Sequence, residues 1–188
     1  MKNRSSMVTL TVSALLCAVG IVIPMVSPIR IILEPASFTL ASHVALFLAM
    51  FISVPVAVCV SLVTTLGFFL GGFPLVVVLR ALSQIVFVTL GALYLSKRKE
   101  TLKHPVSCAV FGLWTAVLHA VMEVVVVTAF YTQNSVSQLY YEQGYFLSVM
   151  VLVGFGTIIH SMVDYGIALA VWKPVQKVAT YMPVNAQM

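Results

Sequence analysis

Charge is scarce in this chain: ten Lys and Arg and five Asp and Glu among 188 residues, against 61% hydrophobic content. A soluble domain of this length needs far more charge to cover its exterior, so composition excludes that class and makes the chain an integral membrane protein of one compact domain. Cysteine is also sparse. Cys17, Cys59 and Cys108 are odd in number, sit in apolar stretches and lack Cys-x-x-Cys spacing, so they read as small buried residues. No Gly-x-x-x-x-Gly-Lys-Ser/Thr phosphate loop occurs, so ATP hydrolysis would have to take place on a partner. No cofactor is expected. Internal repeats and low-complexity tracts are absent, and transporters that alternate access alone usually carry two repeats around a midplane site. A transporter of this size would need a partner.

The net charge of +5 is not laid out as a basic groove or an aromatic-interleaved patch, so nucleic acid is not the expected partner. The basic residues flank hydrophobic runs instead. Pro, Gly and charge divide the chain into about six apolar segments, near 7–26, 38–53, 55–72, 74–95, 106–131 and 146–172. The expected architecture is an all-α bundle of transmembrane helices. The run after Lys2 and Arg4 extends to about Val26 without a small-x-small cleavage site, so it reads as a helix rather than a signal peptide. Lys2, Arg4, Lys97, Arg98, Lys99, Lys103, Lys173 and Lys177 fall on one side of this layout and Arg30 on the other. Because Lys and Arg concentrate in cytoplasmic loops, both termini are expected in the cytoplasm, with 27–37, 71–74 and 132–145 outside.

Three polar pairs interrupt the apolar spans at helical spacing: Arg80/Gln84, His119/Glu123 and His160/Asp164. Ionisable groups at bilayer depth are costly and normally face a bundle interior or a wet cavity. At ~1.5 Å per residue, Arg80 lies about 9 Å below the outer end of its span, and Glu123 reaches a similar depth. His160 and Asp164 come next, with Asp164 at the floor of a pocket that opens outward. The stretch 28–43 supplies Arg30, Glu34, Ser37, Thr39, Ser42 and His43 as a polar rim. Tyr131 begins a Tyr- and amide-rich outer segment, 131–145, that reads equally as a ligand-stacking surface or an interfacial aromatic belt. Phe68, Phe69 and Phe73 flank Gly71-Gly72 as either a hydrophobic lid or lipid anchors. Gly67 and Gly71 form a close-packing face.

Arg80 reads in two ways. It is the counter-ion of Glu123 or Asp164, or its planar guanidinium recognises an anion, for which a carboxylate is the best match. His119/Glu123 and His160/Asp164 also have spacing compatible with divalent metal, although no metal ligand is assigned. An intramembrane hydrolase would need Ser161 or Ser83 as nucleophile, and nothing marks either as activated.

Ala14 and Ala18 put two small residues one turn apart on the first span, a face that admits a second helix. With this face, the stretch 34–43, Thr64-Thr-Leu-Gly-Phe-Phe-Leu-Gly-Gly-Phe-Pro74 and Leu79-Arg-Ala-Leu-Ser83, the chain resembles the S components of energy-coupling factor (ECF) vitamin transporters, most closely the niacin type. The resemblance spans nearly the whole chain. It implies a multi-pass protein of the bacterial plasma membrane that captures a scarce vitamin, not an enzyme. Its expected partners are a transmembrane coupling subunit, docked through Ala14 and Ala18, and two ATPases. It also implies a small carboxylate ligand, niacin before pantothenate, in a site built from Arg80, Gln84, His119, Glu123, His160, His43, Phe68 and Tyr131. The competing class is a divalent-metal transporter or metal-dependent membrane enzyme.

Overall fold

The structure, a computed structural model, describes residues 2–33, 36–178 and 184–186, with side chains over 6–29, 38–176 and 184–186. Of the expected rim, Glu34 and the side chains of Arg30 and Ser37 lie outside the described residues. The chain is an all-α membrane protein apart from one small hairpin. Helix α1 (Lys2–Val26) leads into β1 (Arg30–Leu33) and β2 (Ala36–Thr39), paired antiparallel with Arg30 opposite Thr39. Then come α2 (Val44–Ile52), α3 (Val54–Leu70), α4 (Leu75–Ser83), α5 (Ile85–Lys97), α6 (Pro105–Thr132) and the short α7 (Gln138–Glu142). A π-helical segment, Phe146–Phe155, runs directly into α8 (Gly156–Val178).

Four stretches are long and apolar enough to cross a bilayer: Ser6–Val26, Leu75–Lys97, Pro105–Thr132 and Phe146–Gln176; α3, with 17 residues, is shorter. The expected span at 38–53 is corrected. Its first residues are strand and turn, and only Val44–Ile52 is helical. Nine residues reach about 14 Å, half of a ~30 Å hydrocarbon core. Every residue of α2 is buried, as expected for a helix that is apolar all round. It is an interior half-helix packed by α1, α3, α5 and α8. Its C-terminal carbonyls are satisfied by the chain's own end: Asn185 donates its backbone N–H to Phe51 and Ile52 at 3.0 and 2.9 Å. Ser53 then caps α3, accepting from the Val56 N–H at 3.4 Å, with Pro55 in the first turn.

Small residues set the helix spacing. Gly67 and Gly71 of α3 lie against Ile21 and Met25 of α1, which gives the Gly-x-x-x-Gly face an internal packing role. Gly72, at φ +75°, turns the chain from α3 into α4 in the left-handed region that favours glycine. The α4–α5 span is broken at Gln84, where its backbone N–H bonds back to Ala81 at 3.3 Å.

Gly112 on α6 meets the Tyr165 ring of α8, which cannot retreat because its hydroxyl donates to the Cys108 carbonyl at 3.0 Å. A Cβ at Gly112 would stand 2.6 Å from Tyr165 Cδ1, whereas one at Gly166, on an exposed face of α8, meets nothing within 4 Å. Gly112→Ala is therefore expected to destabilise the protein by about 1–3 kcal/mol. Gly166→Ala should be neutral or stabilising by up to about 1 kcal/mol. Thermal melts of the two variants in detergent, run side by side, check the contrast; equal melting points would refute the packing argument.

Candidate functional site

One end of the bundle encloses a cavity of about 190 Å³. Its walls come from Pro24 at the end of α1, Phe38 and Thr39 of β2, the turn residues Ser42 and His43, and Thr64 and Phe68 of α3. Phe73 and the α4 face Val77, Arg80, Ala81 and Gln84 form another side, and Glu123, Thr157 and His160 complete it. The α5–α6 loop with Lys97, Arg98, Lys99 and Lys103 is at the other end of the α4–α5 rod. The cavity and this basic loop thus lie at opposite ends of the bundle.

Arg80 is the cation of this cavity among the described residues. Its Nη2 donates to Glu123 Oε2 at 2.8 Å, and the same oxygen accepts from the Thr157 hydroxyl at 2.7 Å. The ion-pair reading of Arg80 is therefore realised with Glu123 and not with Asp164. It does not exhaust the guanidinium, because the buried Arg80 Nε has no hydrogen-bond partner. Thr64 Oγ1, also buried and also on the cavity wall, is likewise unpartnered. Phe68 and Phe73 stack on each other with centroids 4.8 Å apart and an interplanar angle of 22°, and both line the cavity. Phe69 is 60% exposed, so the three phenylalanines divide into a two-ring cavity wall and one exposed side chain.

Asp164 sits behind the wall, with no exposure. Its Oδ1 accepts from the Ala41 N–H at 2.8 Å and its Oδ2 from the His43 N–H at 2.9 Å. These bonds hold the turn between β2 and α2, including Ala41 at φ 66°. His43 is fixed at both ring nitrogens. The Gln84 amide donates to Nε2 at 3.1 Å, so Nδ1 carries the proton and donates to Asp164 Oδ2, also at 3.1 Å. His160 Nε2 is 3.1 Å from Ser42 Oγ and 3.4 Å from Asp164 Oδ2. The ligand atoms of His43, His160 and Asp164 lie within 4.8 Å of one another, the one trio among the described residues close enough to hold a metal ion.

Of the residues named from sequence, Arg80, Gln84, Glu123, His160, His43 and Phe68 converge on the cavity. His119 stands behind it, without exposure, stacked on Phe87 at 4.6 Å and bonded through Nδ1 to Ser161 Oγ at 3.1 Å. Its Nε2 is 3.4 Å from Glu123 Oε1 without hydrogen-bond alignment. Ser161, His119 and Glu123 thus follow one another in the order of a nucleophilic triad. Both Ser161 and His119 are sealed from the cavity, so the set is a buried polar network. Ser83 Oγ donates to the Arg80 carbonyl at 2.7 Å.

Tyr131 is placed elsewhere. It packs on Tyr141 and Tyr145 at 4.7 and 5.3 Å and accepts the Tyr141 hydroxyl at its carbonyl. No residue of 131–145 lines the cavity. Sequence reasoning passed over Thr157, which shares the helical face of His160 and Asp164 at i, i+3 and i+7; that periodicity was the available signal. It also passed over Phe38 and Pro24, for which no local signal exists.

No family model matches the chain, and no solved structure matches it. A curated relative does: the niacin transporter NiaX of Lactococcus lactis subsp. cremoris (strain MG1363) is 37% identical over 175 residues, covering 93% of this chain and 78% of that protein. Identity of this extent, carried across a bundle with a polar cavity between its helices, means that the chain belongs to the niacin-type S-component family of membrane transporters.

Proposed function

We propose that this protein is the ligand-capturing S component of an ECF importer and that its ligand is nicotinate, bound in the cavity beside Arg80. The observation that carries this reading is the unpartnered, buried Nε of a guanidinium on the wall of a small cavity. A second carboxylate, beyond Glu123, is the group such a donor suits best. The cavity is smaller than the ~300–1,000 Å³ typical of drug-sized ligands, which favours a single ring with one substituent. The stacked Phe68 and Phe73 provide an apolar wall for that ring. The niacin transporter named above supports the same vitamin.

In this reading the cavity faces outward and both termini lie in the cytoplasm. A coupling subunit and two ATPases supply the energy, with Ala14 and Ala18 as the docking face. Both alanines are exposed, while Leu16, Gly20 and Pro24 of the same helix are turned inward, which supports a free outer face on α1.

The test is calorimetric titration of the purified protein with nicotinate, nicotinamide and pantothenate. Calorimetry is preferred to tryptophan fluorescence because neither Trp114 nor Trp172 lines the cavity. Tight nicotinate binding with weak nicotinamide binding is expected. Preference for pantothenate would retain the S-component reading and change the vitamin, and equal affinity for nicotinate and nicotinamide would remove the role of the carboxylate.

A further inference from the structure

Asp164 presents an imbalance of charge. Buried carboxylates are ordinarily paired with a cation or bound to a metal. Among the described residues no Lys or Arg pairs with Asp164, because Arg80 is committed to Glu123 at 2.8 Å. What faces Asp164 is two backbone N–H groups, the His43 ring, whose other nitrogen meets Gln84, and His160.

The three ligand atoms lie within 4.8 Å of one another, and the two distances to Asp164 Oδ2 match those of a coordination shell. A tetrahedral ion with bonds of 2.0–2.1 Å has ligand atoms about 3.3–3.4 Å apart. His43 Nδ1 is 3.1 Å from Asp164 Oδ2, and His160 Nε2 is 3.4 Å from the same oxygen. Ser42 Oγ stands 3.3 Å from His43 Nδ1 and 3.1 Å from His160 Nε2, so it marks the fourth side of the set. Ser42, His43 and His160 all line the cavity, and Asp164 is buried behind them. An ion here would have three protein ligands and one position open to the cavity, the arrangement of a site that also takes an exogenous ligand.

We propose that His43 Nδ1, His160 Nε2 and Asp164 Oδ2 form a binding site for a divalent transition-metal ion, with its fourth position facing the cavity next to Ser42. Two imidazoles and one carboxylate suit zinc or cobalt rather than magnesium or calcium, which prefer all-oxygen shells. Binding uses the Nδ1 lone pair of His43, so the single ring proton of the neutral imidazole shifts from Nδ1 to Nε2. Gln84 answers by turning its amide so that the carbonyl oxygen accepts that proton, the outer partner that metal-bound imidazoles commonly use. The backbone donors on Asp164 keep the carboxylate oriented whether or not the ion is present. This site does not depend on the identity of the vitamin.

The test uses the full-length protein, purified with its affinity tag removed and stripped with chelator, then titrated with cobalt(II) and competed with zinc(II). The expected result is one cobalt per chain, visible as the intense ligand-field absorption of a tetrahedral ion, displaced by one equivalent of zinc, with a raised melting temperature. His160→Ala, at a partly exposed position, should abolish the absorption. Gln84→Leu, which preserves all three ligands and removes the outer partner, should weaken metal affinity by about 10–100-fold. Cobalt bound equally well by His160→Ala would place the ion elsewhere and overturn the assignment. Wild-type protein that shows neither absorption nor a melting shift would overturn it too.

Discussion

Arg80→Ala is expected to reduce nicotinate affinity by about 30-fold or more while changing nicotinamide affinity far less. Removing one partner of a buried, hydrogen-bonded charge pair costs about 2–5 kcal/mol, and each 1.4 kcal/mol is a factor of ten in affinity. Nicotinamide presents the same ring with no charge, so its loss measures damage to the cavity and the difference between the two ligands measures carboxylate recognition. Arg80→Lys should be intermediate, because an ammonium keeps the charge and loses the planar fork. Calorimetry on the three proteins with both ligands is the measurement. Undiminished nicotinate binding in Arg80→Ala would make Arg80 a structural counter-ion only.

The competition for that guanidinium sharpens the expectation. Glu123 holds Nη2, and Thr157 and His119 stand by the two Glu123 oxygens, so the acid is anchored from three sides. An incoming carboxylate meets an arginine already oriented, whose Nε is buried without a hydrogen-bond partner. Orientation settled before binding lowers the entropy lost on association. Loss of Glu123 would free the arginine to move, so a binding defect in Glu123→Gln would be a positional effect and would appear for nicotinate more than for nicotinamide.

The polar pairs were legible in the sequence because membrane burial makes every charged residue conspicuous. Arg80, Glu123 and His160 converge for that reason. The second segment was misjudged because hydropathy sees composition and not backbone. Phe38 through His43 are apolar enough to continue the α2 pattern, but Ala41 adopts a left-handed conformation held by Asp164, a residue 123 positions away. Such long-range clamps leave no local trace. For Tyr131 the sequence leaves a ligand-stacking surface and an interfacial belt equally open; in the structure its ring packs on Tyr141 and Tyr145 and does not line the cavity. His119 is expected at the binding site from its spacing with Glu123, but that spacing cannot show that Phe87 and Ser161 seal it behind the wall.

Replacing Ala14 and Ala18 together by leucine is expected to bring vitamin uptake to background while leaving nicotinate affinity unchanged. The two alanines lie on the outward face of α1, flanked by Leu10, Leu15 and Val22 at 71%, 62% and 49% exposure. Leucine on a lipid-exposed surface is compatible with the bilayer, so the substitution should not unfold the protein. It does remove the flat strip that lets another helix approach closely, and packing of that kind is the main source of helix association in lipid. Among the described residues the cavity receives only Pro24 from α1, well away from Ala14 and Ala18, so a change at the two alanines does not touch the cavity wall. Uptake of labelled nicotinate into cells carrying the variant, paired with calorimetry on the purified protein, reads the two steps independently. Val110→Leu, at an exposed position on α6, serves as a control that adds bulk to a different surface and should leave uptake intact. Full uptake in the Ala14→Leu/Ala18→Leu protein would show that α1 faces lipid alone and that any coupling partner docks on another helix; loss of both uptake and binding would show that α1 is needed for the integrity of the cavity.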